Sequence, residues 1–127
     1  MLGTAPIIAY VPALDLARAR KFYEDKLGLV PKEEYGGGTG LVYECGQGST
    51  FFMYQSPGAG TSKANQAFWA VDDLAAEMAA LRAKGVRFEE YDLPGLKTVN
   101  GVNVGGGAKT AWFKDSEGNI LALSQRI

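Results

Sequence analysis

The sequence predicts an α+β fold of two tandem β-α-β-β-β modules, whose curved mixed sheets surround a cleft with the helices on the outside. Two observations support this prediction. Each half of the chain has an apolar strand pattern, then a capped helix, then a Glu-Glu-Tyr triplet, at 33–35 and at 89–91. Residues 41–55 also align without a gap to residues 111–125, where Gly48 matches Gly118 and Gln55 matches Gln125. Repetition on this scale indicates two copies of one structural unit, whose strands can curve around a shared cleft.

Module one is expected at about residues 5–56. Residues 7–11 are apolar and partly β-branched, which predicts a buried strand. Asp15 is a suitable N-cap and Gly28 a suitable stop for the helix that follows. The apolar residues of this helix fall at helical spacing and are Leu16, Ala19, Phe22, Tyr23 and Leu27. Residues 41–55 then predict two strands joined by a tight, glycine-containing turn.

A linker at 57–65 leads to module two, at about residues 66–127, and the two modules form a single domain. Residues 67–71 predict its first strand, and Asp73 and Gly85 delimit a helix that carries Leu74, Met78 and Leu81. The offset between the copies is 56 at the triplets and 70 at the aligned hairpins, so module two contains 14 extra residues. They fit best in a loop at 92–107, which is either a lid over the cleft or a plain surface insertion.

Composition limits the class of protein. The 127 residues are 46% hydrophobic and 21% charged with a net charge of −1, which is typical of a folded domain. The 13 Lys and Arg residues are scattered, so no basic stripe indicates nucleic acid or a membrane surface. No apolar run is long enough to span a bilayer, and the first residues lack a signal-peptide pattern. A single cysteine, Cys45, fits a reducing compartment, and a cytoplasmic protein is expected.

Three motifs give the chain a family resemblance. They are Asp15-Leu16 with Phe22-Tyr23 and Leu27-Gly28-Leu29, then Val71-Asp72-Asp73-Leu74, then the run from Trp112 to Asn119. In this order and spacing the chain resembles the vicinal oxygen chelate superfamily of glyoxalases, bleomycin-resistance proteins and ring-cleaving dioxygenases. The last motif is similar to the Asp-Pro-Asp/Glu-Gly-Asn hairpin of that family, with Ser116 in place of the proline. The resemblance covers nearly the whole chain and implies the fold rather than one activity.

Catalytic members of the family hold a metal ion with His and Glu side chains, one from each of four strands that face the cleft. By the resemblance, the matching positions in this chain are Ile8, Phe52, Gln66 and Ala122. None of these side chains can replace an imidazole or a carboxylate around a divalent ion, and the chain contains no histidine. We therefore expect no metal and no other cofactor.

Strand alternation identifies the residues that share the cleft with those four positions. The candidate ligand-binding residues are Tyr10, Phe52, Tyr54, Gln66, Phe68, Thr110, Trp112 and Ser124. The opposite faces are almost purely apolar and should pack under the helices; they carry Ile7, Ala9, Phe51, Met53, Trp69, Phe113, Leu121 and Leu123. A mixture of aromatic and polar side chains is typical of small-molecule pockets. The same pattern is compatible with a cleft that is packed shut, and Gln66 with an ordinary structural hydrogen bond.

The leading hypothesis is a non-enzymatic protein that binds a small, partly aromatic organic molecule. Metal-free family members that sequester antibiotics imply a role in resistance to an aromatic antibiotic or toxin. The runner-up is a lyase or isomerase of the same superfamily that acts without the usual metal. No base lies at the cleft positions and no histidine activates Cys45, so no catalytic residue is predicted.

A third hypothesis is a degenerate fold that serves protein–protein association. The resemblance also implies a homodimer. The sequence leaves open which ligand binds, and whether the cleft forms within one chain or between two.

Overall fold

The computed structural model describes all 127 residues and contains two α-helices and ten strands. The helices are α1 (Leu16–Leu27) and α2 (Leu74–Ala83). The strands are β1 (Ala9–Ala13), β2 (Glu33–Tyr35), β3 (Gly40–Glu44), β4 (Thr50–Gln55), β5 (Asn65–Ala70), β6 (Asp92–Leu93), β7 (Leu96–Lys97), β8 (Asn103–Gly105), β9 (Ala108–Lys114) and β10 (Ile120–Arg126).

The strands form two four-stranded mixed sheets and one small hairpin. Sheet one has the order β1-β4-β3-β2, sheet two has the order β5-β10-β9-β8, and β6 pairs with β7. In each sheet the first strand of the module runs parallel to the last, and the remaining pairs are antiparallel. The two sheets thus repeat one topology, which confirms the predicted α+β fold of tandem modules.

The helices begin where the sequence predicts. The Asp15 carboxylate accepts a hydrogen bond from the Arg18 amide at 3.0 Å, and Asp73 accepts one from the Ala76 amide at 3.1 Å. Each aspartate therefore satisfies an amide that has no partner within its helix. Helix α1 ends at Gly28, whose φ of 70° is left-handed and suits glycine. Neither helix is long and apolar enough to cross a membrane.

The extra residues of module two interrupt the pairing of one strand with β9. The Glu89 amide donates to the Trp112 carbonyl, much as the Lys32 amide donates to the Val42 carbonyl in module one. The chain then leaves the sheet, forms the β6–β7 hairpin and returns as β8, where Asn103 pairs with Thr110. The predicted loop at 92–107 therefore contains a hairpin and the edge strand of sheet two.

One hydrophobic core contains residues from both helices and both sheets. The strand faces predicted to lie under the helices contribute to it, including Phe51, Met53, Phe113, Leu121 and Leu123. The prediction for Ile7 is wrong: β1 begins at Ala9, so Ile7 precedes the sheet and is 94% exposed. Because the core unites the two modules, neither sheet has an independent apolar centre.

Candidate ligand-binding site

Four aromatic side chains form a continuous patch on the face of sheet one that points away from the core. We call these residues, Tyr10, Tyr35, Phe52 and Tyr54, the aromatic face. The Tyr10 ring lies edge-on to Phe52 and Tyr54, with centroids 5.6 and 5.2 Å apart, and Tyr35 lies 6.3 Å from Phe52. Tyr10 is 66% exposed and Tyr35 is 53% exposed, so the aromatic face is open to solvent.

Gly40 explains how Phe52 lies in this patch. A Cβ at position 40 would overlap the Phe52 ring, so the ring lies directly across the β3 backbone. Gly40 is itself buried although it is only backbone, because Phe52 covers it. The close approach leaves the Phe52 ring beside Tyr10 and Tyr35 in the aromatic face.

Sheet two carries a pocket of about 270 Å³ on its corresponding face. It is lined by Asn65, Phe68, Thr110, Trp112, Ala122 and Ser124. We call this the cleft pocket. Ala122 pairs with Trp112 and Ser124 pairs with Thr110 across β9 and β10, which explains why these four residues share one face. The Thr110 and Ser124 hydroxyls lie 3.2 Å apart and form a hydrogen-bonding pair in the pocket wall.

The predicted site residues therefore lie in two groups. Tyr10, Phe52 and Tyr54 belong to the aromatic face, and Phe68, Thr110, Trp112 and Ser124 line the cleft pocket. Gln66 belongs to neither group, and its amide donates to the Ala64 carbonyl two residues away. A bulge explains this: Ile120 pairs with Asn65 while Leu121 pairs with Ala67, so Asn65 takes the place in the pocket that regular alternation gives to Gln66.

Tyr91 is a neighbour of the site that strand alternation did not predict. Its ring lies edge-on to Trp112 with a centroid distance of 5.6 Å, and burial followed by the Glu89 charge raises the pKa of its hydroxyl. Thr98 holds Tyr91 in place, since its hydroxyl accepts from the Tyr91 amide at 2.8 Å. Trp112 is only 9% exposed as a result, so one part of its ring is fixed and the other faces the cleft pocket.

The residues at the family's metal positions do not fit a metal ion. Ile8 is 53% exposed just before β1, Phe52 lies over Gly40, and Ala122 packs beside Trp112. No group of three or more His, Cys, Asp or Glu side chains is arranged to hold a metal anywhere in the chain. Asn65, which takes the place of Gln66, offers only an amide oxygen. These four positions therefore do not supply the set of ligands that a divalent metal ion needs.

The family's hairpin motif forms a buried polar network rather than part of the pocket. Asp115 accepts hydrogen bonds from the Tyr23 hydroxyl at 2.7 Å and from the Asn119 amide group at 2.9 Å. Glu117 accepts two bonds from the Arg18 guanidinium, each at 2.9 Å. Burial alone would raise the pKa of Glu117, but hydrogen bonds from Arg18, Ser116 and the Asp15 amide outweigh it and lower the pKa to about 2. The network ties the end of sheet two to α1 of the other module.

Comparison with known families agrees with this architecture. The profile of the Glyoxalase/Bleomycin resistance protein/Dioxygenase superfamily matches residues 7–123. The chain belongs to this superfamily. Among curated protein sequences, none matches the chain.

Solved structures with the same fold carry different activities. TnmS3, an antibiotic binding protein from Streptomyces sp. CB03234, is 21% identical and has a TM-score of 0.70, with 98% of each chain covered. Lactoylglutathione lyase from Agrobacterium tumefaciens is 17% identical, with a TM-score of 0.69 and coverage of 96% of this chain and 93% of that one. FosX, a fosfomycin resistance protein of Listeria monocytogenes complexed with Mn(II), is 11% identical, with a TM-score of 0.67 and coverage of 94% and 88%. These likenesses show a shared fold, and the fold by itself does not decide between binding and catalysis.

Proposed function

We propose that this protein binds a small, partly aromatic organic molecule without transforming it, and thereby sequesters an antibiotic or toxin. The cleft pocket is the observation that carries the proposal. It combines the Phe68 and Trp112 rings with the polar groups of Asn65, Thr110 and Ser124. Apolar walls with a few hydrogen-bonding groups are the usual composition of small-molecule sites. TnmS3, which has the same fold, is an antibiotic binding protein.

The lining of the pocket favours binding over catalysis. None of its six residues is titratable near neutral pH, so none can act as a general acid or base. Thr110 and Ser124 lack a neighbouring base within the pocket that could activate a hydroxyl as a nucleophile. The pocket can still orient a ligand, because the hydroxyl pair and the Asn65 amide offer both donors and acceptors.

We further propose that two copies of the chain pair in solution and that pairing completes the site. Large side chains remain exposed on the face of each sheet that points away from the core: Tyr10 of sheet one is 66% exposed and Phe68 of sheet two is 65% exposed. Contiguous exposed apolar surface is typical of interaction sites. A second copy that covers the aromatic face would enclose a ligand more fully than the open cleft pocket does alone. Sedimentation equilibrium is expected to give a dimer, and a monomer at high concentration would contradict this.

Trp112 provides the direct test of ligand binding. A stacked aromatic pair contributes about 0.5–1.5 kcal/mol beyond the area it buries. Trp112→Ala should therefore weaken the binding of bleomycin or of a planar aromatic dye by about tenfold or more, measured by calorimetry. In Trp69→Phe, Trp112 is the sole tryptophan, and the same compounds should quench its emission.

Trp69 supplies the control. Its ring is stacked on Phe113, with centroids 6.4 Å apart, on the core-facing side of sheet two. In Trp112→Phe the remaining Trp69 emission should respond little to a ligand in the cleft pocket. Unchanged Trp112 emission with every aromatic compound, together with equal loss of stability in Trp112→Ala and Trp69→Ala, would show that Trp112 only fills space.

A further inference from the structure

We infer that the protein has a second small-molecule site, an apolar cavity of about 260 Å³ on the core-facing side of sheet two. Its walls include Trp69, Phe113 and Leu123, which alternate along their strands with Phe68, Trp112 and Ala122 of the cleft pocket. The sheet therefore separates the two spaces, and a ligand in one cannot touch a ligand in the other. This inference is independent of the proposed function of the cleft pocket.

The internal duplication explains why a cavity exists here. Strands and helices repeat with an offset of 58 between β1-α1 and β5-α2, and of 70 between the two hairpins. Tyr23 of α1 therefore corresponds to Leu81 of α2, and Asp115 of the second hairpin corresponds to Cys45 of the first. Tyr23 and Asp115 meet across the modules, and Leu81 and Cys45 both line the cavity. The cavity is thus the repeat counterpart of the buried polar network.

Side chains fill the space at the buried polar network, but they do not fill the corresponding space at the cavity. Tyr23 is fully buried and its hydroxyl reaches Asp115 at 2.7 Å. Leu81 is shorter than its counterpart Tyr23, and Cys45 is smaller than its counterpart Asp115 with the groups that are hydrogen-bonded to it. The Leu81 and Cys45 side chains therefore leave a space between them. Trp69 is larger than Val11, its counterpart, but stacks on Phe113 and so lies along the wall.

A third difference between the two modules opens the cavity to solvent. Ala19 of α1 is fully buried, and its counterpart in α2 is Glu77, which is exposed. An unpaired carboxylate does not enter an apolar interior, so Glu77 lies at the rim of the cavity rather than in it. The cavity therefore has an entrance beside Glu77.

The shape and chemistry of the cavity define its ligand. Nine of its eleven lining residues are hydrophobic. A cavity of about 150 Å³ with apolar walls stays dry and binds benzene, so one of this size admits a compact apolar molecule of one or two rings. The Glu77 carboxylate at the entrance disfavours an anion. A neutral aromatic hydrocarbon is the simplest probe.

Cys45 allows occupancy to be measured, because it lines the cavity and is the only cysteine of the chain. Saturating toluene should slow the alkylation of Cys45 by iodoacetamide by about tenfold and raise the melting temperature by roughly 5 °C at tenfold excess over Kd. Bleomycin, the probe used for the cleft pocket, should leave the alkylation rate unchanged. If toluene changes neither the rate nor the melting temperature, the inference is wrong.

Leu81→Phe tests the location. The larger ring should occupy the cavity as Tyr23 does on the other side, so toluene should no longer stabilise the protein. Ala79→Phe adds the same ring at an exposed position of α2 and should keep the toluene response. An equal response in wild type and a folded Leu81→Phe would overturn the assignment. If Leu81→Phe does not fold, the stabilisation of Trp112→Ala by toluene is measured instead. If toluene does not stabilise Trp112→Ala, toluene binds in the cleft pocket and the inference is wrong.

Discussion

Two buried tyrosines, Tyr23 and Tyr43, differ in what their hydroxyl groups bind. Both are fully buried and their rings lie 5.6 Å apart. The Tyr23 hydroxyl donates to Asp115 at 2.7 Å, whereas the Tyr43 hydroxyl is buried without a hydrogen-bond partner. Burial raises the pKa of both, of Tyr43 to about 12, so each is protonated at neutral pH.

This difference predicts opposite effects of the same substitution. Tyr23→Phe should lower the free energy of unfolding by about 1–3 kcal/mol, because it removes a hydrogen bond to a buried charge. Tyr43→Phe should leave it unchanged or raise it by about 1 kcal/mol, because it removes an unsatisfied group. Urea unfolding of the two variants makes the comparison, and a larger loss in Tyr43→Phe would contradict it.

Glu117 makes stability depend on acid pH. The carboxylate ionises with a pKa of about 2 in the folded protein, below its ordinary value of 4.5. Its contribution is therefore complete above pH 4.5 and is lost as the pH falls through 2. The full shift would correspond to about 3 kcal/mol, and solvent screening around the half-exposed Arg18 side chain makes the contribution smaller. The unfolding free energy of Glu117→Gln should fall less steeply than that of wild type between pH 5 and pH 2, and parallel curves would refute this role.

At the scale of elements, the sequence predicted the parts whose signals are local. The caps at Asp15 and Asp73 and the stop at Gly28 depend on nearby residues alone, and each lies where it was predicted. The bulge between β5 and β10 depends on pairing across about 55 residues, and regular alternation therefore placed Gln66 where Asn65 lies. The observed start of β1, Ala9, differs from the predicted start, Ile7, for a similar reason, because the ends of a strand depend on its partner strand.

The segment between the modules lies very close to sheet two at Gly60. Gly60 has a left-handed φ of 74°, and a Cβ there would overlap the backbone carbonyl of Glu117. Gly60→Ala should therefore lower the free energy of unfolding by at least 2 kcal/mol, from backbone strain and from displacement of the Glu117 turn.

Gly95 is the matched control for Gly60. Its φ of 79° is similar, but no atom lies within 4 Å of the position of its Cβ, because it is at the tip of the β6–β7 hairpin. Gly95→Ala should cost only about 1 kcal/mol, the part that comes from the left-handed conformation. Thermal melting of the two variants separates the cost of the left-handed backbone from the cost of the overlap with the Glu117 carbonyl. Equal losses of stability would show that the linker does not depend on its contact with Glu117.

At the scale of the whole molecule, the sequence could predict which faces are apolar but not how the two modules meet. Alternation correctly assigned Phe51 and Phe113 to the core, yet nothing local indicates that both belong to one core. The same limit applies to the site. The aromatic face and the cleft pocket were predicted as one cleft, and the relation between them depends on packing between modules. Tyr91 escaped prediction because an insertion, which has no counterpart in module one, positions it.

A shared core predicts that the modules unfold together. Met53 of module one is fully buried, and both tryptophans, Trp69 and Trp112, lie in module two. Met53→Ala should cost about 2–5 kcal/mol, as truncation of a buried side chain does. Because no boundary divides the core, this loss should shift the urea midpoint reported by tryptophan emission as far as the midpoint reported by far-UV circular dichroism. Leu123→Ala, on the module-two side of the core, should shift both probes in the same way. A tryptophan transition that stays at the wild-type midpoint in Met53→Ala would show instead that module two is stable without module one.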